Sequence, residues 1–350
     1  MFKRLSRILL FSIVLTSFGV AAHHSRNTFF DMSQTVELEG EITRVQWRHP
    51  HVRYWIQADA AYGGAEWEME TTPPSILERY GIDPEVVGPG TRVRVAGPPS
   101  RFKENVMEVS HFLLPDGREV LLHTGIPPRW SDDTIERAKK AFSEEAIRAA
   151  EATANGIYRV WSREPMDARQ PFWLDSYPLT DAARATAATW DPVVEVNTGC
   201  RPKAMPRIMG SSWPIQFIDE GTQIRLLQEE FDTVRIIHLD EDGPGSDVTP
   251  SLWGYSTGRW DGDELVVSTS HMDSYYFGTA GIQLSPDAVV EERFILSADQ
   301  RLLDYAMTVT DPATFTEPVT QINAWYWEPG ETVKLYDCVE TPGSWSESPD

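Results

Sequence analysis

Histidine is concentrated at the front of this chain. Six of the eight histidines lie at or before residue 123, and four of them form two pairs: His23 with His24, and His49 with His51 around Pro50 in "WRHPHV". Imidazole nitrogen binds zinc, copper or nickel, with geometry and softness deciding among them. In extended chain, residues i and i+2 point to one side, so His49 and His51 are expected to face the same way. A chain cut before His23 would add an α-amine, partly unprotonated near neutral pH. Amine plus two imidazoles suits square-planar copper(II). A chain beginning at Ala22 would offer amine, deprotonated amides and a third-position imidazole, which also suits copper(II). A copper or zinc site built from His23, His24, His51 and His49 is the alternative to the leading reading, in which this end is an accessory domain and a small molecule binds in the C-terminal half. No Cys-x-x-Cys or His-Glu-x-x-His pattern accompanies it, so histidines of surface and core are the competing reading.

A second group lies in "QEEFDTVRIIHLDED" and the strands after it. On a strand, Glu230, Asp232, Val234, Ile236 and His238 share one face, and Arg235, Ile237 and Leu239 the other. Arg259 shares a face with Tyr255, and Asn323 with Trp325. Aromatic walls with a few convergent polar groups make a small-molecule site. Arg235, Tyr255, Arg259, Asn323 and Trp325 are therefore expected to bind a small, largely apolar molecule. A His–carboxylate pair there would serve as a general base. A hydrolase or isomerase using His238, Glu230 and His271 is thus a further alternative, against a solvated outer face. The chain has no Gly-x-Ser-x-Gly elbow, phosphate loop or dinucleotide fingerprint.

The elements that must position these residues are mostly strands. Residues 36–47, "VELEGEITRVQW", alternate apolar and polar, with Gly40 inside and a slip of phase before Val45, which predicts a bent or bulged strand. Two more strands, a short helix in "PPSILERYG" ending at Gly81, and further strands through an Asp116-Gly117 turn follow. That order fits a small OB-like barrel, with a five-stranded sandwich as the alternative. Ser131 is expected to cap a helix that ends near Gly156. From residue 213, nine short strands with tight turns predict an antiparallel up-and-down barrel or curled, lipocalin-like sheet; the last is "TVKLYDC", and "GIYRVW" is an additional candidate. The fold class is mainly β. The predicted division is a signal peptide over 1–22, an OB-like domain over 23–125, a helix and extended linker over 126–195, and a barrel domain over 196–345.

The signal peptide rests on Lys3, Arg4 and Arg7 before an apolar run from Ile8 to Phe18, with Val20-Ala21-Ala22 as the cleavage site. The run is too short to span a bilayer, which takes about 20 residues. The expected product is periplasmic or secreted, without membrane insertion after signal removal. The net charge is −22, and removing three basic residues with the leader makes it −25. Such a surface repels phosphate backbones, so nucleic acid is not an expected partner. Oligomeric state is open at this stage. The two cysteines, Cys200 and Cys338, are expected to form one disulfide in an oxidising compartment. A metal site of cysteine with Met205 or Met209 is the alternative.

Two resemblances complete the reading. "AHHS…FD", "EGEITRVQWRHPHV" and "LPDGREV" together resemble an uncharacterised family of exported bacterial proteins with a small β-domain, over roughly 22–123. "CRPKAMPRIM", "EEFDTVRIIHLD" and "GYSTGRWDGDELVVSTS" resemble an uncharacterised β-rich module of exported proteobacterial proteins, over roughly 196–340. Neither implies an activity. In "WRHPH", His49 replaces the asparagine of that family's Asn-Pro-His form, so His51 is the histidine the resemblance matches.

Overall fold

The computed structural model describes residues 29–123, 125–135, 141–163, 177–190, 200, 202–239, 243–245, 247–273, 276–278 and 281–339. The expected leader, together with His23 and His24, lies outside them. The chain is mainly β and forms an eight-stranded sheet followed by a nine-stranded one.

The first sheet contains β1 (Val36–Gln46), β2 (Arg53–Ala58), β3 (Glu66–Glu70), β4 (Arg92–Gly97), β5 (Val106–Glu108), β6 (His111–Leu113), β7 (Glu119–Leu121) and β8 (Thr134–Ile135). Strand β1 pairs antiparallel with both β2 and β4, β2 pairs with β3, and β3 runs parallel to β5. A bridge between Pro99 and Met107 brings β5 back to the chain leaving β4. The circuit β1-β2-β3-β5-β4 is that of an OB-like barrel, with α1 (Pro74–Arg79) between β3 and β4. The predicted slip in β1 is a bulge between Ile42 and Arg44. Gly40 is required before it, because a Cβ there would lie 2.1 Å from the Gln57 carbonyl oxygen. Inward-facing Leu38, Ile42, Tyr54, Ile56, Met69, Val95 and Phe112 fill the barrel, with Leu77 of α1 among them.

The predicted connecting helix begins later than Ser131. The amides of Arg129, Trp130 and Ser131 all donate to the buried Glu119 carboxylate, which holds that stretch as a loop. Thr134–Ile135 then joins β7 as β8. The helix itself is α2 (Glu144–Thr153), capped by Ser143, whose Oγ accepts from the Ala146 amide at 3.2 Å. A third helix, α3 (Asp181–Ala187), is capped by Thr180 in the same way.

The second sheet runs β9 (Val160–Trp161), β10 (Ile215–Asp219), β11 (Gln223–Gln228), β12 (Thr233–Leu239), β13 (Tyr255–Asp261), β14 (Glu264–Ser270), β15 (Val289–Leu296), β16 (Leu302–Thr310) and β17 (Val319–Tyr326) in spatial order. The expectation of a wholly antiparallel sheet needs one correction, since β12 and β13 are parallel. The candidate strand in "GIYRVW" is real and becomes β9. Ser162, just after it, exchanges two backbone hydrogen bonds with Tyr326 at 2.9 and 2.7 Å. The sheet therefore curls until its two edges meet at that bridge. "TVKLYDC" is not a tenth member: it leaves the sheet as a strap over residues 331–339.

That strap lies against the OB-like barrel. Glu331 pairs with Arg79 at 2.9 Å, Lys334 with Glu78 at 2.8 Å, and Asp337 with Arg48. The Val339 amide donates to the His49 carbonyl at 3.0 Å. Cys338 is bonded to Cys200 as expected, across 138 residues, with 5.8 Å between the two Cα atoms.

Candidate functional site

The outer face of β2, β3 and β5 is where the OB-like barrel gathers polar side chains. Alternation puts Trp67 and Met69 of β3 inward and Glu66, Glu68 and Glu70 outward. Register then sets Glu70 beside Arg53 of β2 and Glu108 of β5. Arg53 lies 3.4 Å from Glu68 and 3.3 Å from Glu70. Arg53, Glu70 and Glu108 are each about 5 % exposed or less. Burial raises the pKa of Glu68, against the pull of Arg53, with Glu70 adding to the rise.

Two imidazoles stand at the upper end of this face. His51 places Nδ1 2.7 Å from the Glu70 carboxylate, and its side chain is partly exposed. Such a contact fixes the ring and turns Nε2 the other way. His123 has Nε2 3.4 Å from Glu108 and Nδ1 3.2 Å from the Thr72 hydroxyl. That hydroxyl donates its one proton to the Leu122 carbonyl at 3.0 Å. Nδ1 of His123 must therefore be the donor towards Thr72. In a neutral ring, Nε2 then presents a lone pair to a carboxylate. A proton held by either Nε2 or the carboxyl group, or a cation between them, reconciles the two. Among the described residues, no three histidine, cysteine or carboxylate side chains converge as a complete metal centre.

His49 does not share a side with His51, because residues 47–52 are a loop between strands and not extended strand. Its ring is buried, stacked on Tyr336 at 4.1 Å and edge-on to Trp213 at 5.4 Å. Burial pushes its pKa down to about 4. His49 thus sits in the contact with the strap. His111 is held by Ser110 at 2.7 Å and the Pro127 carbonyl at 3.1 Å, and burial lowers its pKa as well.

In the second sheet, the residues expected around one cavity divide between the two faces. Arg235, Asn323 and Trp325 point inward and are buried, whereas Tyr255 and Arg259 alternate onto the outer face. Arg235 forms a two-pronged pair with Glu292, one contact at 3.0 Å, and also donates to Ser256 and Thr269. Tyr305 donates to the same carboxylate at 2.9 Å. Its phenol pKa is raised well above its ordinary value, first by burial and then by the charge of Glu292. Asn323 accepts from Arg163 at 2.7 Å. The rings of Phe217, Phe294, Tyr305 and Trp325 touch in sequence, with centroids 4.9–5.2 Å apart.

The catalytic candidates are not brought together. His238 stacks on Tyr255 on the outer face, with ring centroids 4.6 Å apart. Glu230 belongs to a turn before β12 and is held by Ser211 and by Lys203 at 2.6 Å. His271 falls one residue past β14, with φ of 57°, and its Nδ1 contacts the Ser270 hydroxyl at 2.9 Å.

Sequence reasoning missed Glu70, Glu108 and His123. The alternation Glu66-Glu68-Glu70 was the available signal, although such a row usually marks a solvated face. His123 lies outside any pattern.

The sequence profile of a family of unknown function (DUF6152) matches residues 12–106. That stretch runs from within the apolar run of residues 8–18 to the first residue of β5. No curated protein matches the chain, and no solved structure does.

Proposed function

We propose that this is an exported protein whose OB-like barrel binds a divalent transition metal, copper(II) ahead of zinc, at the head of its β2–β3–β5 face. The observation that carries this reading is the pairing of two imidazoles with two buried carboxylates on neighbouring strands, His51 with Glu70 and His123 with Glu108. Nitrogen and carboxylate donors are the set that zinc and copper take. With bonds of ~2.05 Å to nitrogen and ~2.1 Å to oxygen, a separation of 3.4 Å corresponds to an angle of about 110° at the cation, near tetrahedral. Glu68 and Glu70 stand beside the guanidinium of Arg53, with Glu108 next to Glu70 on β5, so carboxylates outnumber that one cation at the head of the face.

Chain length alone allows an amino terminus cut near residue 22 to reach this face. Phe29 and Phe30 pack on Val106, two residues from Glu108 on β5. The five residues back to His24 span at most about 17 Å. His23 and His24 are therefore candidate completing ligands, which favours copper through the terminal amine.

The test is metal analysis of the untagged mature chain, with the copper(II) absorption band and spin resonance of the reloaded protein. One equivalent of copper, reduced at least tenfold in affinity in His51→Ala and His123→Ala, is expected. Stoichiometric metal untouched by both substitutions, or none after incubation with copper and with zinc, would sink the assignment.

A further inference from the structure

Outside the second sheet, α2 leans over β9 and β10 and leaves a groove of about 580 Å³. Its size is that of sites for small organic ligands. Helix α2 buries none of its residues, and it offers the groove Ala146, Ala149, Ala150 and Thr153. Opposite stand Tyr158, Ile218 and Trp327.

Arg159 lines the same groove and is unusual. The residue is 6 % exposed, and no described carboxylate pairs with it. Its guanidinium donates twice to Gln300, to the backbone carbonyl at 3.3 Å and to the side-chain oxygen at 2.9 Å. Nε has no hydrogen-bond partner. The ring faces of Trp327 and Trp161 lie 4.3 and 5.6 Å from the guanidinium carbon. Such contacts are favourable but leave the charge unneutralised. Burial lowers its pKa, and no acidic neighbour opposes the shift. A buried charge normally has a counter-charge. In a chain of net charge −22, an unmatched buried arginine is the more telling.

We propose that the groove binds a small amphipathic monocarboxylic acid, its carboxylate on Arg159 and its apolar part along Tyr158, Ile218 and Trp327. The rim explains the single charge. Asp219 and Glu328 also line the groove, as does Glu331, whose charge is paired with Arg79, and these carboxylates disfavour a dianion such as a phosphate monoester. This site is separate from the metal-binding face and does not depend on it.

The probes are decanoate, decanol and decyl phosphate, titrated into the full mature chain at 0.15 M salt and followed by tryptophan fluorescence and calorimetry. Decanoate is expected to bind saturably and at least tenfold more tightly than decanol or decyl phosphate. Arg159→Met removes that preference, and Arg159→Lys keeps part of it. Ala150→Phe on α2, where the added ring meets open groove, weakens decanoate and decanol alike while leaving the unfolding midpoint in place. No saturable decanoate binding overturns the proposal. So does equal binding of decanoate and decanol, or full binding in both Arg159→Met and Ala150→Phe.

Discussion

Replacing Glu292 by glutamine tests what holds the second sheet in its curl. Glu292 is fully buried, takes two contacts from Arg235 and accepts the Tyr305 hydroxyl at 2.9 Å. Two unit charges at about 4 Å attract by about 4 kcal/mol at an effective dielectric of about 20. Glutamine keeps the shape and one acceptor but strands the guanidinium of Arg235 among Ser256, Thr269 and aromatic rings. Breaking one side of a buried pair costs about 3–5 kcal/mol, because the survivor is desolvated without compensation. Removing both charges and the phenol together, as Arg235→Met, Glu292→Leu and Tyr305→Phe, is expected to restore most of that loss. Urea unfolding followed by tryptophan fluorescence and near-ultraviolet circular dichroism reads the difference. At a slope of about 3 kcal/mol per molar, the Glu292→Gln midpoint falls by about 1 M or more. A fall below about 0.3 M would refute the reasoning. So would costs of Arg235→Met and Glu292→Leu that simply add, since contacting charges must couple.

Two other outcomes follow from the strap. Reducing Cys200–Cys338, or replacing both cysteines by serine, is expected to cost about 5 kcal/mol on the chain-entropy model, given the 138-residue separation; a denaturation midpoint unchanged by reductant would contradict it. Burial raises the pKa of Glu229, which accepts from the Lys334 amide at 3.1 Å. Its folded form therefore holds a proton more tightly than its unfolded form, so this group favours folding as pH falls towards its raised pKa and opposes it above. Glu229→Gln is expected to raise stability at neutral pH and to remove that part of the acid-side gain, measured as the difference between the two chains' midpoints from pH 7 to pH 5.

The fold was legible wherever period and punctuation agreed. The phase slip in "VELEGEITRVQW" became the bulge after Ile42, and the three strands, short helix and further strands became the OB-like circuit. Legibility failed where a long-range partner decides. Ser131 reads as a cap, yet Glu119 captures its amide. "TVKLYDC" reads as a strand, yet its ion pairs with Glu78 and Arg48 and the stacking of Tyr336 on His49 draw it onto the OB-like barrel. The site failed for the same reason. Glu70 and Glu108 are far apart in sequence, and only the parallel pairing of β3 with β5 sets them side by side. Arg159 sits beside a strand of two residues, too short to leave a period.

The strap explains why two unrelated β-modules are worth one chain. Its beginning, Gly330 to Thr332, forms part of the groove wall, with Glu331 tied to Arg79 of α1. Its end, Tyr336 to Val339, covers His49, two residues from His51. The nine-residue strap thus touches the surroundings of both proposed sites, and the disulfide fixes its far end. Towards that end the ion pair of Arg48 with Asp337 is half exposed and worth only ~0–1 kcal/mol, whereas Glu331 with Arg79 at the beginning is buried. The buried ring of His49 between Tyr336 and Trp213 supplies the apolar hold that those ion pairs lack.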